Sequence, residues 1–144
     1  MQLAEPFATG SDAKRLTIFT SEHWTVLVRK SQVTIGSVVL AANRHFTSGS
    51  ELTPEEAADF PRVVGRLERM LNRAFQFDKI NYLCLMMVDR HYHFHVLPRY
   101  ERAREFAGLQ WVDNDWPKPT DLAAAAATDF AVLKRLRDYL ATYS

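Results

Sequence analysis

Three short apolar runs open the patterned part of the chain: LTIF at 16–19, HWTVLV at 23–28 and SVVLAAN at 37–43. β-Branched and aromatic residues fill them, polar breaks separate them, and the TIG turn ends at Gly36 before the third, so all three are expected as strands. The period then changes. In ELTPEEAADF, Thr53 is placed as a helix N-cap, Pro54 at the first helical position and Glu56 where it closes a capping box. Ala57, Phe60, Val64, Leu67, Leu71 and Ala74 follow at spacings of three and four, the apolar stripe of a helix lying on something flat. Pro61 has no N–H to bond back to Ala57, so a kink is expected there; the stripe continues past it, which argues against an end.

Beyond Asp78 the run KINYLCLMMV (79–88) is apolar on both faces and is expected as a central strand covered on each side. A turn at Asp89 and Arg90 would return the chain as an antiparallel neighbour carrying HYHFHV, and Pro98 is expected to stop that strand. REFAGLQWVDNDWPKP has no clean period and reads as an ordered loop anchored by tryptophans. A last helix is expected from Thr120 and Asp121, with Phe130, Leu133, Leu136 and Leu140 on its buried side. Five strands with a long central and a C-terminal helix make an α+β fold, and no linker or repeat divides it.

Composition adds limits. At 144 residues the chain buries a core without staples, and its single cysteine, Cys84, is expected as a small buried hydrophobe within its apolar run. Eighteen basic against seventeen acidic residues give a net charge of +1, so no overall field draws in nucleic acid. Arg62, Arg66, Arg69 and Arg73 would share a helix face; a phosphate-binding stripe and an ordinary solvated face with Glu68 both account for them, and nucleic acid is not the expected partner. MQLAEPFATGSDAKR has no apolar leader core, and no stretch approaches the roughly 20 apolar residues of a membrane span, so a soluble cytoplasmic protein without a membrane partner is expected.

The chemistry concentrates in VDRHYHFHVLPRY, where His91, His93 and His95, three of the chain's five histidines, occupy alternate positions. On a strand these three project to one face, while Tyr92, Phe94 and Val96 project inward. Neighbouring imidazoles then start roughly 6.6 Å apart, a span a phosphate group or a metal ion bridges. Three readings stand side by side. Solvated surface histidines leave the register unexplained. A zinc site draws on the commonest metal-ligating side chain, although a straight row suits tetrahedral closure poorly. Nucleophilic catalysis on phosphorus uses all three: a neutral imidazole, of unperturbed pKa about 6.5, attacks from the middle while its neighbours stabilise charge and donate a proton.

HYHFHVLPR resembles the histidine triad (HIT) signature, in which histidines alternate with apolar residues and two further apolar residues follow. The upstream WTVLVRKSQVTIGSVVLAANRHF and ELTPEEAADF are similar to the strands, glycine turn and helix that lead into the triad in that family, so the resemblance spans roughly residues 15–100. The tail, with FAGLQWVDNDWP, is similar to a bacterial branch that includes diadenosine tetraphosphate hydrolase-like proteins.

The resemblance implies an antiparallel five-stranded sheet, with residues 1–105 as the HIT-like domain and 106–144 as a loop and helix packed on it. It also implies a homodimer that hydrolyses or transfers nucleotides, with no metal or cofactor. His93 is then the nucleophile that takes the nucleotidyl group at the α-phosphate of a dinucleoside polyphosphate or nucleoside phosphoramidate. His95 meets the phosphate or leaving group, and His91 holds the nucleophile's surroundings.

Three positions depart from the family's pattern. The Gly and Gln or Ser loop that precedes the triad is replaced by MMVDR, Ser37 stands where a histidine often supports the first triad member, and Val28 stands at the usual ribose-binding position. Losing one oxyanion-type donor costs about 2.7–4 kcal/mol. Arg90, Arg99 and Ser37 are therefore the expected substrate contacts; Trp111, Asp113, Asp115 and Trp116 either anchor the tail, the favoured expectation, or fold over the nucleotide site to supply ribose contacts and a stacking surface. A non-catalytic nucleotide-binding module that keeps the triad pocket is the alternative.

Overall fold

A computed structural model describes residues 11–124 and 127–144; the stretch before residue 11 and part of the alanine run lie outside the described residues. Five strands, β1 (Thr17–Thr20), β2 (Trp24–Val28), β3 (Val38–Ala42), β4 (Lys79–Leu83) and β5 (His93–Arg99), form one antiparallel sheet in the order β1-β2-β3-β5-β4. Helices α1 (Ser11–Leu16), α2 (Pro54–Phe75) and α3 (Phe130–Ala141) accompany it.

Alternation along the strands creates two unlike faces. Trp24, Val26 and Val28 of β2, Val38, Leu40 and Ala42 of β3, and Val96 of β5 join Leu67, Met70 and Leu71 of α2 and Leu133, Leu136 and Leu140 of α3 in the main core. Fully burying each such aliphatic side chain contributes about 1.5–3 kcal/mol. The intervening residues point the other way, and there Leu27, Val39 and Ala41 form a smaller cluster with Ala13 of α1. Both histidines of β5 have the parity of this second face.

α2 begins as its sequence dictates: the Thr53 hydroxyl accepts from the Glu56 N–H, and the Glu56 carboxylate accepts from the Thr53 N–H. The helix runs unbroken through Pro61. Its buried stripe is rotated from the expected one, with Val63 and Met70 buried and Ala57 exposed. Asp59 is the reason for part of that rotation: its carboxylate accepts from Ser21 Oγ at 2.9 Å and from Arg62 at 2.9 Å, which turns a polar residue toward the sheet.

Four expectations need correction. The run 79–88 is not a central strand: β4 stops at Leu83 and lies at the sheet edge, and Cys84, Leu85, Met87 and Val88 are exposed. Pro98 does not end β5, which continues to Arg99. β3 begins only at Val38, opposite Val96, so the edge of β5 facing β3 is unpaired beyond that point and a residue without an N–H is accommodated. The tail contains a hairpin, β6 (Arg104–Phe106) and β7 (Leu109–Trp111), turning on Ala107 and Gly108 at φ of 54° and 74°, and crossing residue 105. α3 starts at Phe130 on an Asp129 cap, later than expected, and a 3-10 turn at Leu122–Ala124 precedes it.

Candidate active site

β3 lies between β2 and β5, and its second-face residues are small or aliphatic: Ala41 is opposite His93 and Val39 is opposite His95. This leaves room beside the rings. His93 and His95 stand edge to face with ring centroids 4.9 Å apart. Both line a cavity of about 360 Å³, together with Arg29, Asp89, the loop residues Leu85, Met87 and Val88, and Leu122 and Ala123 of the 3-10 turn.

Hydrogen bonds set the chemistry of each ring. His93 is 3% exposed, and its Nδ1 lies 2.6 Å from the carbonyl oxygen of His91. A carbonyl only accepts, so Nδ1 carries the hydrogen and the lone pair of the neutral ring sits on Nε2. Burial pushes the His93 imidazole below its ordinary value of 6.5. The ring is therefore uncharged at neutral pH, the form a nucleophile requires.

His95 is poised differently. Its Nδ1 accepts from Arg29 Nε at 3.2 Å, which places its own hydrogen on Nε2. Burial first, then the charge of Arg29 and the proximity of His93, lower its pKa to about 4. At neutral pH it is a neutral N–H donor and not an imidazolium. Arg29 also donates to the Ser31 carbonyl at 2.8 Å, which holds the guanidinium over the histidine face.

His91 precedes β5 and does not line the cavity. It is pinned on three sides. Nε2 meets the carbonyl oxygen of Ala42, Nδ1 lies 3.0 Å from His45 Nδ1, and its backbone N–H donates to Asp89 Oδ1 at 2.9 Å. Since Nε2 faces a carbonyl it carries the hydrogen, and in the neutral ring Nδ1 then accepts from the N–H of His45. The effect is to fix the carbonyl that orients His93.

The other expected contacts separate from this group. Ser37 is buried and donates from Oγ to the Thr34 carbonyl at 2.7 Å. Arg99, on the same sheet face, is spent on Asp113: Nε donates to Oδ2 at 2.7 Å and Nη2 to Oδ1 at 3.1 Å. Neither lines the histidine cavity, because each already has its polar partners within the fold. Arg90 is exposed beside His91. Trp111, Asp113 and Asp115 line a separate cavity, and Trp116 a third, so it is the anchoring alternative that the tail follows; Leu122 and Ala123 lie at the triad instead.

Arg29 and His45 are the site residues that sequence reasoning missed. A signal existed for the first: Arg29 continues the odd-numbered alternation of Thr25 and Leu27 and so shares their face. For His45 the signal is weaker, a histidine three residues beyond the strand that flanks the triad. It takes up the support of His91 that Ser37 does not give.

The family model described as HIT domain matches residues 11–102. Protein hit of Bacillus subtilis (strain 168) is 26% identical over 132 residues, covering 88% of this chain and 89% of that protein. Among solved structures, a histidine triad (HIT) protein from Sinorhizobium meliloti 1021 superposes with a TM-score of 0.72 at 19% identity, covering 94% of this chain and 96% of its own. A hypothetical histidine triad nucleotide-binding protein from Sulfolobus tokodaii strain7 gives 0.67 at 17% identity, covering 89% and 82%.

Proposed function

Since this chain belongs to the HIT domain family, we propose that it is a nucleotidyl hydrolase or transferase that cleaves a dinucleoside polyphosphate or nucleoside phosphoramidate at the α-phosphate. The observation that carries this reading is the bond from His93 Nδ1 to the His91 carbonyl, since it assigns the lone pair to Nε2 of a ring lining the cavity.

In the first step His93 Nε2 forms a bond to the α-phosphorus, and the bond from phosphorus to the leaving group breaks with its electron pair going to the leaving atom. The product is a nucleotidyl-histidine whose positive ring keeps its Nδ1–H on the His91 carbonyl. In the second step water attacks phosphorus, the N–P bond breaks with its electrons returning to Nε2, and a nucleoside monophosphate and a proton are released. The Nε2–H of His95 donates to a phosphoryl oxygen, and Arg29 supplies the fixed positive charge nearest the triad.

Incubation with diadenosine tetraphosphate or adenosine phosphoramidate, followed by rapid quench and intact-protein mass spectrometry, tests the reading. A transient adenylyl mass on His93 is the expected result. It disappears in His93→Ala together with turnover, by on the order of 10⁴-fold or more. Tight nucleotide binding with neither adduct nor product supports the second reading, a binding module. That reading is favoured by Leu85, Met87 and Val88, which give the cavity an apolar wall where phosphate donors stand in the family's pattern. In the nucleotidyl-transfer reading the protein is cytoplasmic and a homodimer, and light scattering of the purified chain checks the dimer.

A further inference from the structure

One group in the histidine cavity has no part in the steps above. Asp89 lines the cavity with His93 and His95, and only one of its two oxygens is used, Oδ1 accepting from the His91 N–H at 2.9 Å. Oδ2 is buried and has no hydrogen-bond partner among the described residues. A buried carboxylate oxygen without a donor is costly, and a site that leaves one open rewards a ligand that brings a donor or a positive charge.

The charges around the triad sharpen this. Among the described residues, two charged side chains line the cavity, Arg29 and Asp89, and they cancel. Arg29 matches the single negative charge of an α-phosphoryl group. A leaving polyphosphate carries several further negative charges into a space bounded by Asp89 and by the apolar Leu85, Met87 and Val88, none of which offers it a donor, and the carboxylate repels it. A leaving amine brings N–H donors and, once protonated, a positive charge.

We infer that Asp89 is the residue that selects the leaving group, favouring substrates with a phosphorus–nitrogen bond to a basic amine over dinucleoside polyphosphates. The inference rests on the nucleotidyl-transfer reading of the same site. The scissile nitrogen, –NH–R, takes a proton from solvent and reacts as –NH2⁺–R, donating to Asp89 Oδ2. As His93 Nε2 bonds to phosphorus, the P–N bond breaks with its electron pair going to nitrogen, and R–NH2 departs. The proton released when water later cleaves the nucleotidyl-histidine converts the amine to its ammonium form in solution. No proton need come from His95, which is neutral at pH 7.

The test compares kcat/KM for an adenosine phosphoramidate of a primary alkylamine and for diadenosine tetraphosphate, in the wild type, Asp89→Asn and Asp89→Glu. Asparagine keeps an acceptor oxygen for the His91 N–H and replaces the charged Oδ2 with an amide, and thermal unfolding confirms that each variant is folded. The expected result is a wild-type preference for the phosphoramidate that falls by about tenfold or more in Asp89→Asn and is kept in Asp89→Glu. Equal losses on both substrates assign Asp89 to positioning His91 and overturn the inference, as does a wild-type preference for the polyphosphate. In either case the adduct on His93 still forms, so the proposed function stands. Absence of any adduct with both substrates overturns the function and the inference together.

Discussion

His93 and His95 are adjacent members of one row, yet their surroundings assign them opposite hydrogens. His93 turns Nδ1–H to a carbonyl, while His95 accepts at Nδ1 from a cation. Both rings sit below the ordinary 6.5, His95 at about 4. For activity the sign is direct: protonation destroys the nucleophile, so the acid limb of a kcat/KM profile lies below pH 6.5, the position an unshifted imidazole would give. For stability the unfolded chain binds more protons than the folded one between about 4 and 6.5 at His95, so its contribution, present above pH 6.5, is lost as pH falls through that window. Arg29→Ala removes the cation 3.2 Å from His95. The expected outcome is a His95 pKa raised toward 6.5, read by NMR titration of the imidazole carbons, with turnover lower by about 10²–10³.

The elements divide by how local their determinants are. α2 starts on a reciprocal pair of bonds between Thr53 and Glu56, and the same Glu56 carboxylate takes two bonds from Arg44, at 3.0 and 2.9 Å. Its hydrogen bonds to Arg44 hold it down at about 2. Thr53→Ala is expected to cost about 1 kcal/mol in urea denaturation, leaving kcat/KM of the folded fraction unchanged because the helix packs on the face away from the triad. Such a start is legible because every participant lies within four residues. The triad face was legible for the same reason, since parity alone separates His93 and His95 from Phe94 and Val96. The edge position of β4 was not: its apolar run KINYLCLMMV serves two ends, a strand to Leu83 and then an exposed cavity wall, and hydropathy does not distinguish burial under a helix from lining a cleft. The hairpin at 104–111 escaped because strands of three residues show no measurable period. Of the arginine row on α2, Arg62 pairs with Asp59 and Arg66 stacks 3.9 Å over Phe19.

At the scale of the whole molecule, the tail is tied to the sheet by one buried ion pair. Arg99 ends β5, and Asp113 stands two residues beyond β7; their side chains are 4% and 1% exposed. Arg99 also donates to Asn81 on β4 at 2.8 Å and to the Lys118 carbonyl at 2.7 Å, and the Tyr100 N–H donates to Asp113 at 3.1 Å. Three further groups from the sheet and the tail thus meet at one guanidinium and one carboxylate. That junction lets the chain pass on to the 3-10 turn, whose Leu122 and Ala123 close the histidine cavity from the tail side. Sequence reasoning assigned Arg99 to the substrate because it follows the triad closely; its pairing with a residue 14 positions later is a tertiary fact that no local pattern carries. The two roles predict different phenotypes. Asp113→Asn leaves the guanidinium buried without its counter-charge, which costs about 3–5 kcal/mol, a large part of the stability of a domain this size. If the junction is structural, the urea midpoint drops sharply, while the folded fraction at low temperature keeps its KM for nucleotide. A raised KM with an unmoved midpoint would return Arg99 to the substrate.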